Sequence, residues 1–443
     1  MEDYNTLAQK ILAHAAHLGS DETEVYFEKG ESLSLKVKSS EITETTRAQS
    51  LGLGLRVLKN NRQGYAYTAS FTPEAIKNTI NLALNYTAYS DPNPYLTLVE
   101  KQNYPEVQTY DEKIAQTSLD DKIYLACQCE SAVLSKPNIA KVEHTAYQEA
   151  VSEIWLYNSH NVAAHEQSSY CALSCTALGT DGSDRDNGSG FCQATSLSAL
   201  DPQICTEMTA KRATVLLGAR GIASAKCAVV LDPYIACQFL ELLAPSFTGE
   251  NVLKNKSMYA QNLGQKIAAK GVKIMDDGTI SAALGSSSFD GEGTASKKTE
   301  IVSDGILCRY LYDAKSAAQA GAVSTGNAGR SSYKTPPRPS TSNYYLAKGT
   351  CAPEEIIAET AHGVYITHIL GAHTANTLTG NFSLGAAGIL IENGKFTHAV
   401  RGITIAGNLK DLLVNIDMIG NDLTFYGSEG SPTVRVRNMQ INA

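Results

Sequence analysis

Glu241 is the first residue whose setting suggests chemistry. Asp232-Pro233 reads as an N-cap followed by proline at the first helical position, and Ile235, Ala236, Phe239, Leu240 and Leu243 then share one face. The spacing predicts a helix over 233–244, buried on one side, with Glu241 as its single carboxylate. A helix that holds a catalytic metal presents two histidines on one face, with a glutamate beside them to deprotonate the attacking water. Here the glutamate is present, but no histidine lies between residues 166 and 361. Without histidines, a solvent-facing or ion-paired role is the expectation for Glu241.

His362, His368 and His373 form the one histidine cluster. His368 falls in an expected strand, Val364–Leu370, and His373 in the loop after it. Two of them could meet a carboxylate such as Glu392 or Asp422 on a metal. Their spacing matches no ligand pattern, so ordinary strand and loop histidines are expected. The ten cysteines contain no Cys-x-x-Cys pair, and Cys127-x-Cys129 has no second pair at zinc-ribbon spacing. They read as reduced, mostly buried thiols. The aspartates of Gly179–Gly190 lack the spacing and closing glutamate of a calcium loop, which leaves a polar turn. There is no nucleophile elbow or phosphate loop, and Gly52-Leu-Gly-Leu-Arg-Val alternates like a strand.

The elements that must position these residues follow from periodicity. Leu7, Ile11, Leu12, Ala15 and Leu18 share a helical face over 4–18, stopped by Gly19. Residues 24–28, 33–37 and 51–57 read as strands, and Asn60–Gly64 as the turn into Tyr65–Thr68. Thr72-Pro73 and Ser118 start helices, and residues 90–117 between them read as a linker or crossing loop. Strands are expected over 140–200 and a helix over 203–217. From Val229 onward, glycine-rich β segments alternate with a few helices. The fold class is α+β: an N-terminal helix with an antiparallel or mixed sheet, and a β-rich C-terminal domain. The expected divisions are 1–115, 116–222 and 223–443.

The 443 residues carry a formal net charge of -8, which argues against a general nucleic-acid footprint. No apolar run reaches the roughly 18 residues of a membrane span. The N-terminus is acidic and then amphipathic, unlike a signal peptide. A cytoplasmic chain is expected, with no nucleic-acid or membrane partner.

The C-terminal half holds an ordered series: Asp276-Asp-Gly-Thr279, Phe289-Asp-Gly-Glu-Gly293, Asp304-Gly-Ile-Leu307 and Ser324-Thr-Gly-Asn327, then Thr379-Gly-Asn-Phe-Ser-Leu-Gly385 and Ile391-Glu-Asn-Gly-Lys395. Arg401-Gly-Ile-Thr-Ile-Ala-Gly-Asn-Leu409 and Ile419-Gly-Asn-Asp422 complete it. With Gly52–Arg56, Gly64–Tyr67 and Leu231-Asp-Pro233, this order resembles the TldD/PmbA family, peptidases also described as modulators of DNA gyrase. The resemblance covers nearly the whole chain. It implies a TldD branch carrying His-Glu-x-x-x-His and a C-terminal cysteine as zinc ligands, and a PmbA (TldE) branch that lacks them. Counting back from Asp276 puts Leu240 and Pro245 in the two histidine positions and leaves Glu241 in the glutamate position. The stretch Leu423–Pro432 has no cysteine, and Ile405–Asp411 looks like the PmbA branch.

The resemblance therefore implies a PmbA/TldE-like subunit with no catalytic or metal-binding residue of its own. Zinc is expected in a TldD-like partner, and unstructured peptides as substrate. In such families a cleft takes a peptide as an added strand. Thr325, Gly326, Asn327, His368, His373, Thr379, Gly380 and Asn408 are the candidates to line it, with Asn408 capping the helix that follows. Pairing with a TldD-like chain or with a second copy both remain open. So do two other roles: a non-enzymatic homodimer that binds peptides or regulates gyrase, and a self-sufficient hydrolase built on His362–His373.

Overall fold

The computed structural model describes residues 3–443; Met1 and Glu2, the start of the acidic N-terminus, lie outside them. Helix α1 (Tyr4–His17) leads into β1 (Glu22–Lys38), β2 (Glu41–Lys59) and β3 (Arg62–Thr68). Helix α2 (Pro73–Thr87) starts at Thr72, whose hydroxyl accepts from Ala75 N. After the short α3 (Glu112–Gln116) come α4 (Leu119–Leu134), β4 (Ile139–Asn158), β5 (Ala163–Thr180), β6 (Arg185–Ala194) and α5 (Pro202–Thr214). These strands form one six-stranded antiparallel sheet in the order β3-β2-β1-β4-β5-β6.

The expected strands 24–28 and 33–37 are two halves of β1. Gly30 pairs with Ser50 on one side and Ser152 on the other, so the ladder runs unbroken through Lys29–Ser32. Val25 and Phe27 pack against α1 and α2, while Leu33, Leu35 and Val37 on the same face pack with α4 residues Ala126, Cys129 and Val133. The polar stretch lies between two helix layers, which is why it breaks the hydrophobic pattern without ending the strand. Residues 90–111 cross without regular structure and are pinned to the sheet: Leu98 N donates to Glu22 Oε2 (2.8 Å), and Asn158 Nδ2 donates to Val99 O (2.8 Å). The aspartate-rich segment is the β5–β6 turn, where Asp181 Oδ1 accepts from Ser183 N and Asp184 N.

The rest of the chain is β-rich, as its glycine-punctuated pattern suggests. It begins with β7 (Ala225–Leu231), α6 (Pro233–Leu243) and α7 (Gly249–Leu253), then β8 (Ile274–Asp277), β9 (Lys298–Ser303) and β10 (Ile306–Leu307). Next are α8 (Ala314–Ala320), the two-residue strands β11 (Ala328–Gly329) and β12 (Arg338–Pro339), β13 (Tyr344–Leu346) and α9 (Pro353–Ala358). The chain continues through β14 (His362–Leu370), β15 (Asn381–Glu392), β16 (Lys395–Asn408), α10 (Leu409–Asn415) and β17 (Ile416–Ile419). It ends with β18 (Thr424–Tyr426), β19 (Glu429–Ser431) and β20 (Val434–Asn442).

One sheet runs β16-β15-β14-β7-β20-β17, and a β16–β20 pairing closes five of its strands into a ring. A second runs β10-β9-β8-β13-β19-β18. Helix α6 shares one core with both: Ile235, Ala236, Phe239, Leu240 and Leu243 pack with Val364 and Ile366 of the first sheet and with Ile274 and Leu346 of the second. The architecture is α+β, with the helical layers on the N-terminal sheet and a β-rich C-terminal region. Among the described residues no helix is long and apolar enough to cross a membrane.

Candidate functional site

Asp232 caps α6 by accepting from Tyr234 N (3.1 Å), and its second oxygen accepts from Tyr365 OH (2.8 Å). These bonds fix the helix against β14 and set which side chains leave the core. Tyr234, Cys237, Gln238 and Glu241, spaced three and four apart, form the stripe that the apolar face leaves free. They border an open cavity of about 570 Å³ together with Phe191 and Gln193 of β6, His373, and Tyr426 and Glu429 at the β18–β19 turn. The rings of Phe191, Tyr234 and Tyr426 meet edge-on at 5.1–6.1 Å, and the Arg212 guanidinium lies 4.1 Å over Tyr234. Burial, opposed in part by a hydrogen bond from Ser428, raises the Glu429 carboxyl, and the charge of Glu241 raises it further. Burial likewise pushes the Cys237 thiol up, out of reach of its thiolate at neutral pH.

Leu240 points away from this cavity. It is 4% exposed, in the apolar core with Phe239 and Leu243. Pro245 sits just past the helix end, where its carbonyl accepts from Asn251 Nδ2 (2.8 Å). Of the three positions only Glu241 faces the cavity. Among the described residues no three His, Cys, Asp or Glu side chains come together as a metal-binding group. A zinc ion does not fit this helix.

Three protein-family models match successive segments covering most of the chain. The PmbA/TldA metallopeptidase domain 1 matches residues 23–86, the central domain 112–217 and the C-terminal domain 224–443. The chain belongs to the TldD/PmbA metallopeptidase family. It is 27% identical over 428 residues to the metalloprotease PmbA of Escherichia coli O157:H7, covering 95% of this chain and 92% of that one. A crystal structure of a putative modulator of a DNA gyrase from Thermotoga maritima superposes with a TM-score of 0.91 at 26% identity, over 99% of this chain and 100% of that one. The fold is also that of TldE from Thermococcus kodakarensis, with a TM-score of 0.90 at 22% identity over 98% and 100% of the two chains.

Within this TldD/PmbA fold the other candidate residues fall in separate places. His362 pairs across strands with Glu392 at the start of β14, about 20 Å along the strand from His368. His368 is half-buried; burial, then the Arg212 charge, lowers its imidazole, which meets Thr367 Oγ1 at 2.9 Å. Asp422 is committed to Thr433, accepting from its N (3.0 Å) and Oγ1 (2.7 Å). His373 alone of the three histidines reaches the cavity with Glu241.

Thr379, Gly380 and Asn408 form one cluster at the start of α10. Asn408 Oδ1 accepts from Lys410 N (2.9 Å), and its Nδ2 donates to Thr379 O (2.9 Å). Gly380, at φ +82°, lies against that amide, and its carbonyl accepts from Leu409 N. Thr325 and Asn327 are buried: Thr325 Oγ1 accepts from Tyr312 N (2.7 Å), and Asn327 Nδ2 donates to Asp276 Oδ1 (2.7 Å). Gly326 and Asn327 border a different cavity, of about 240 Å³, beside Asp290 and Arg330.

Sequence reasoning missed Phe191, Gln193, Tyr426 and Glu429, which come from two sheets far apart in the chain. The one local signal was the 234/237/238/241 spacing on a helix whose other face is apolar.

Proposed function

We propose that this chain is the PmbA/TldE-type subunit of a zinc-dependent peptidase acting on unstructured peptides, with the zinc held by a TldD-like partner. One observation carries the reading: α6 keeps Glu241 on the cavity while Leu240 is committed to the core and Pro245 to the helix end. The metalloprotease names of its relatives support peptide-bond hydrolysis for the assembly. In that assembly this chain supplies a folded wall and a docking surface, and the partner supplies the hydrolytic centre.

The test mixes the purified chain with a TldD-like protein from the same organism and follows complex formation and cleavage of a disordered peptide. Cleavage is expected from the mixture alone. Equal cleavage by the single chain, or one equivalent of tightly bound zinc in it, would overturn the assignment.

A further inference from the structure

A second cavity, of about 320 Å³, shares Phe191, Gln193, Tyr426 and Gly427 with the first, so the two form one groove. Its far end is lined by the apolar side chains of Ile204, Met208, Leu284 and Phe425, with Ile204 52% exposed, and by Asp201, whose carboxylate accepts from Gln203 N (2.9 Å). Its near end carries Glu241 and Glu429. Each side of the groove is an open sheet edge. Among the described residues β6 pairs only with β5, and β18 only with β19. Ser189 O on β6 is taken by Arg212, and the strand ends beside Phe191, Gln193 and Tyr426 form no further ladder among the described residues, which leaves room for an added extended segment.

The charges at the near end are unbalanced. Among the described residues neither Glu241 nor Glu429 has an ion-pair partner, and each stands within electrostatic reach of the other. Arg212 lies over Tyr234, one of the cavity's rings, and donates to Ser189 O (2.9 Å), but among the described residues it forms no ion pair with either glutamate. Two carboxylates beside a cluster of aromatic rings favour a cation with an apolar stem, which the rings sheathe and the carboxylates neutralise.

We propose that this groove is the chain's own docking site for an extended peptide, selecting a lysine or arginine at the Glu241–Glu429 end and an apolar side chain at the Ile204 end. The assignment deepens the subunit reading and rests on it for the choice of a peptide as occupant. The chain that lacks the metal would then set which peptides enter the assembly, through charge complementarity.

The test uses the full single chain and fluorescein-labelled, unstructured 12-residue peptides. They carry a central leucine and a nearby lysine, or the same sequence with alanine or glutamate in place of that lysine. Fluorescence anisotropy should show the lysine peptide binding about tenfold more tightly than the alanine peptide at about 50 mM salt, with the gap narrowing at about 300 mM. Glu241→Gln combined with Glu429→Gln should bring the lysine peptide to the alanine level, with circular dichroism confirming that the fold is kept. Ile204→Ser should weaken all three peptides alike. Equal affinities for lysine and alanine peptides, or a folded double variant that still prefers lysine, would overturn the proposal. Complex formation with the TldD-like chain is scored separately. A basic-peptide preference without a complex sinks the subunit reading alone, whereas a cleaving complex without the preference sinks the groove alone.

Discussion

Two sets of carboxylates lie where the N-terminal sheet meets the C-terminal region, and they are treated in opposite ways. In the first, Glu24 and Glu292 share Arg56 at 2.6 and 2.8 Å, and Arg330 bridges to Glu24 while its Nε donates to Gly291 O (2.6 Å). Arg330 also stacks over Tyr26, 4.6 Å from the ring centre. All four charged side chains are at most 5% exposed. In the second set, Glu241 and Glu429 face an open groove and, among the described residues, form no ion pair. Paired and buried charge holds the units together, while unpaired charge on a cavity wall is left for something that arrives.

The comparison breaks first at Arg56. Arg56→Ala would leave Glu24 with Arg330 alone and Glu292 buried with no counter-charge, so a loss of about 3–5 kcal/mol is expected. Chemical denaturation would measure it. A loss below about 1 kcal/mol would mean that the network is dispensable, and the contrast with the groove would lose its meaning.

Asn408→Ala is the next largest change. It removes the cap of α10 and the bonds from Nδ2 to Thr379 O and Asn381 Oδ1, and should cost about 1–2 kcal/mol. If Thr379, Gly380 and Asn408 serve the α10 cap and not the groove, this variant should destabilise the chain and leave peptide affinity unchanged. A drop in affinity at constant fold would move that cluster into the docking site.

The same contrast explains what could be read in the sequence. Local signals came through: the Asp232-Pro233 start of α6, the Thr72 cap of α2 and the Asn408 cap of α10 are each written in two or three adjacent residues. The continuity of β1 did not, because Lys29-Gly30-Glu31-Ser32 is polar for a tertiary reason, the gap between two helix layers. Spacing on α6 shows which side chains oppose the apolar face, yet nothing in it says that Phe191 and Tyr426 will stand opposite them. That convergence depends on β6 and β18 each ending a sheet. The Glu24–Arg56–Glu292–Arg330 network was equally hidden, since its members are up to 306 residues apart.

The sharpest form of the comparison is a difference in sign. Removing charge from the buried network should destabilise the protein, whereas removing it from the groove should not. Glu429 has a folded-state pKa raised above its ordinary value by burial and by Glu241. A carboxyl raised in this way contributes stability fully present below its unfolded value, near 4.5, and lost as pH rises through the folded value. Glu429→Gln should therefore gain on the wild type as pH rises from about 4 to about 8, by under about 1 kcal/mol because solvent still reaches the site. Thermal melts of the two proteins across that range would measure the difference. A fixed concentration of basic peptide should narrow or reverse the order at neutral pH, since the wild type binds it more tightly and so gains more of its binding energy. A variant that loses stability as pH rises, in the absence of peptide, would mean that Glu429 has a cationic partner within the fold, and the two carboxylate sets would no longer differ in kind.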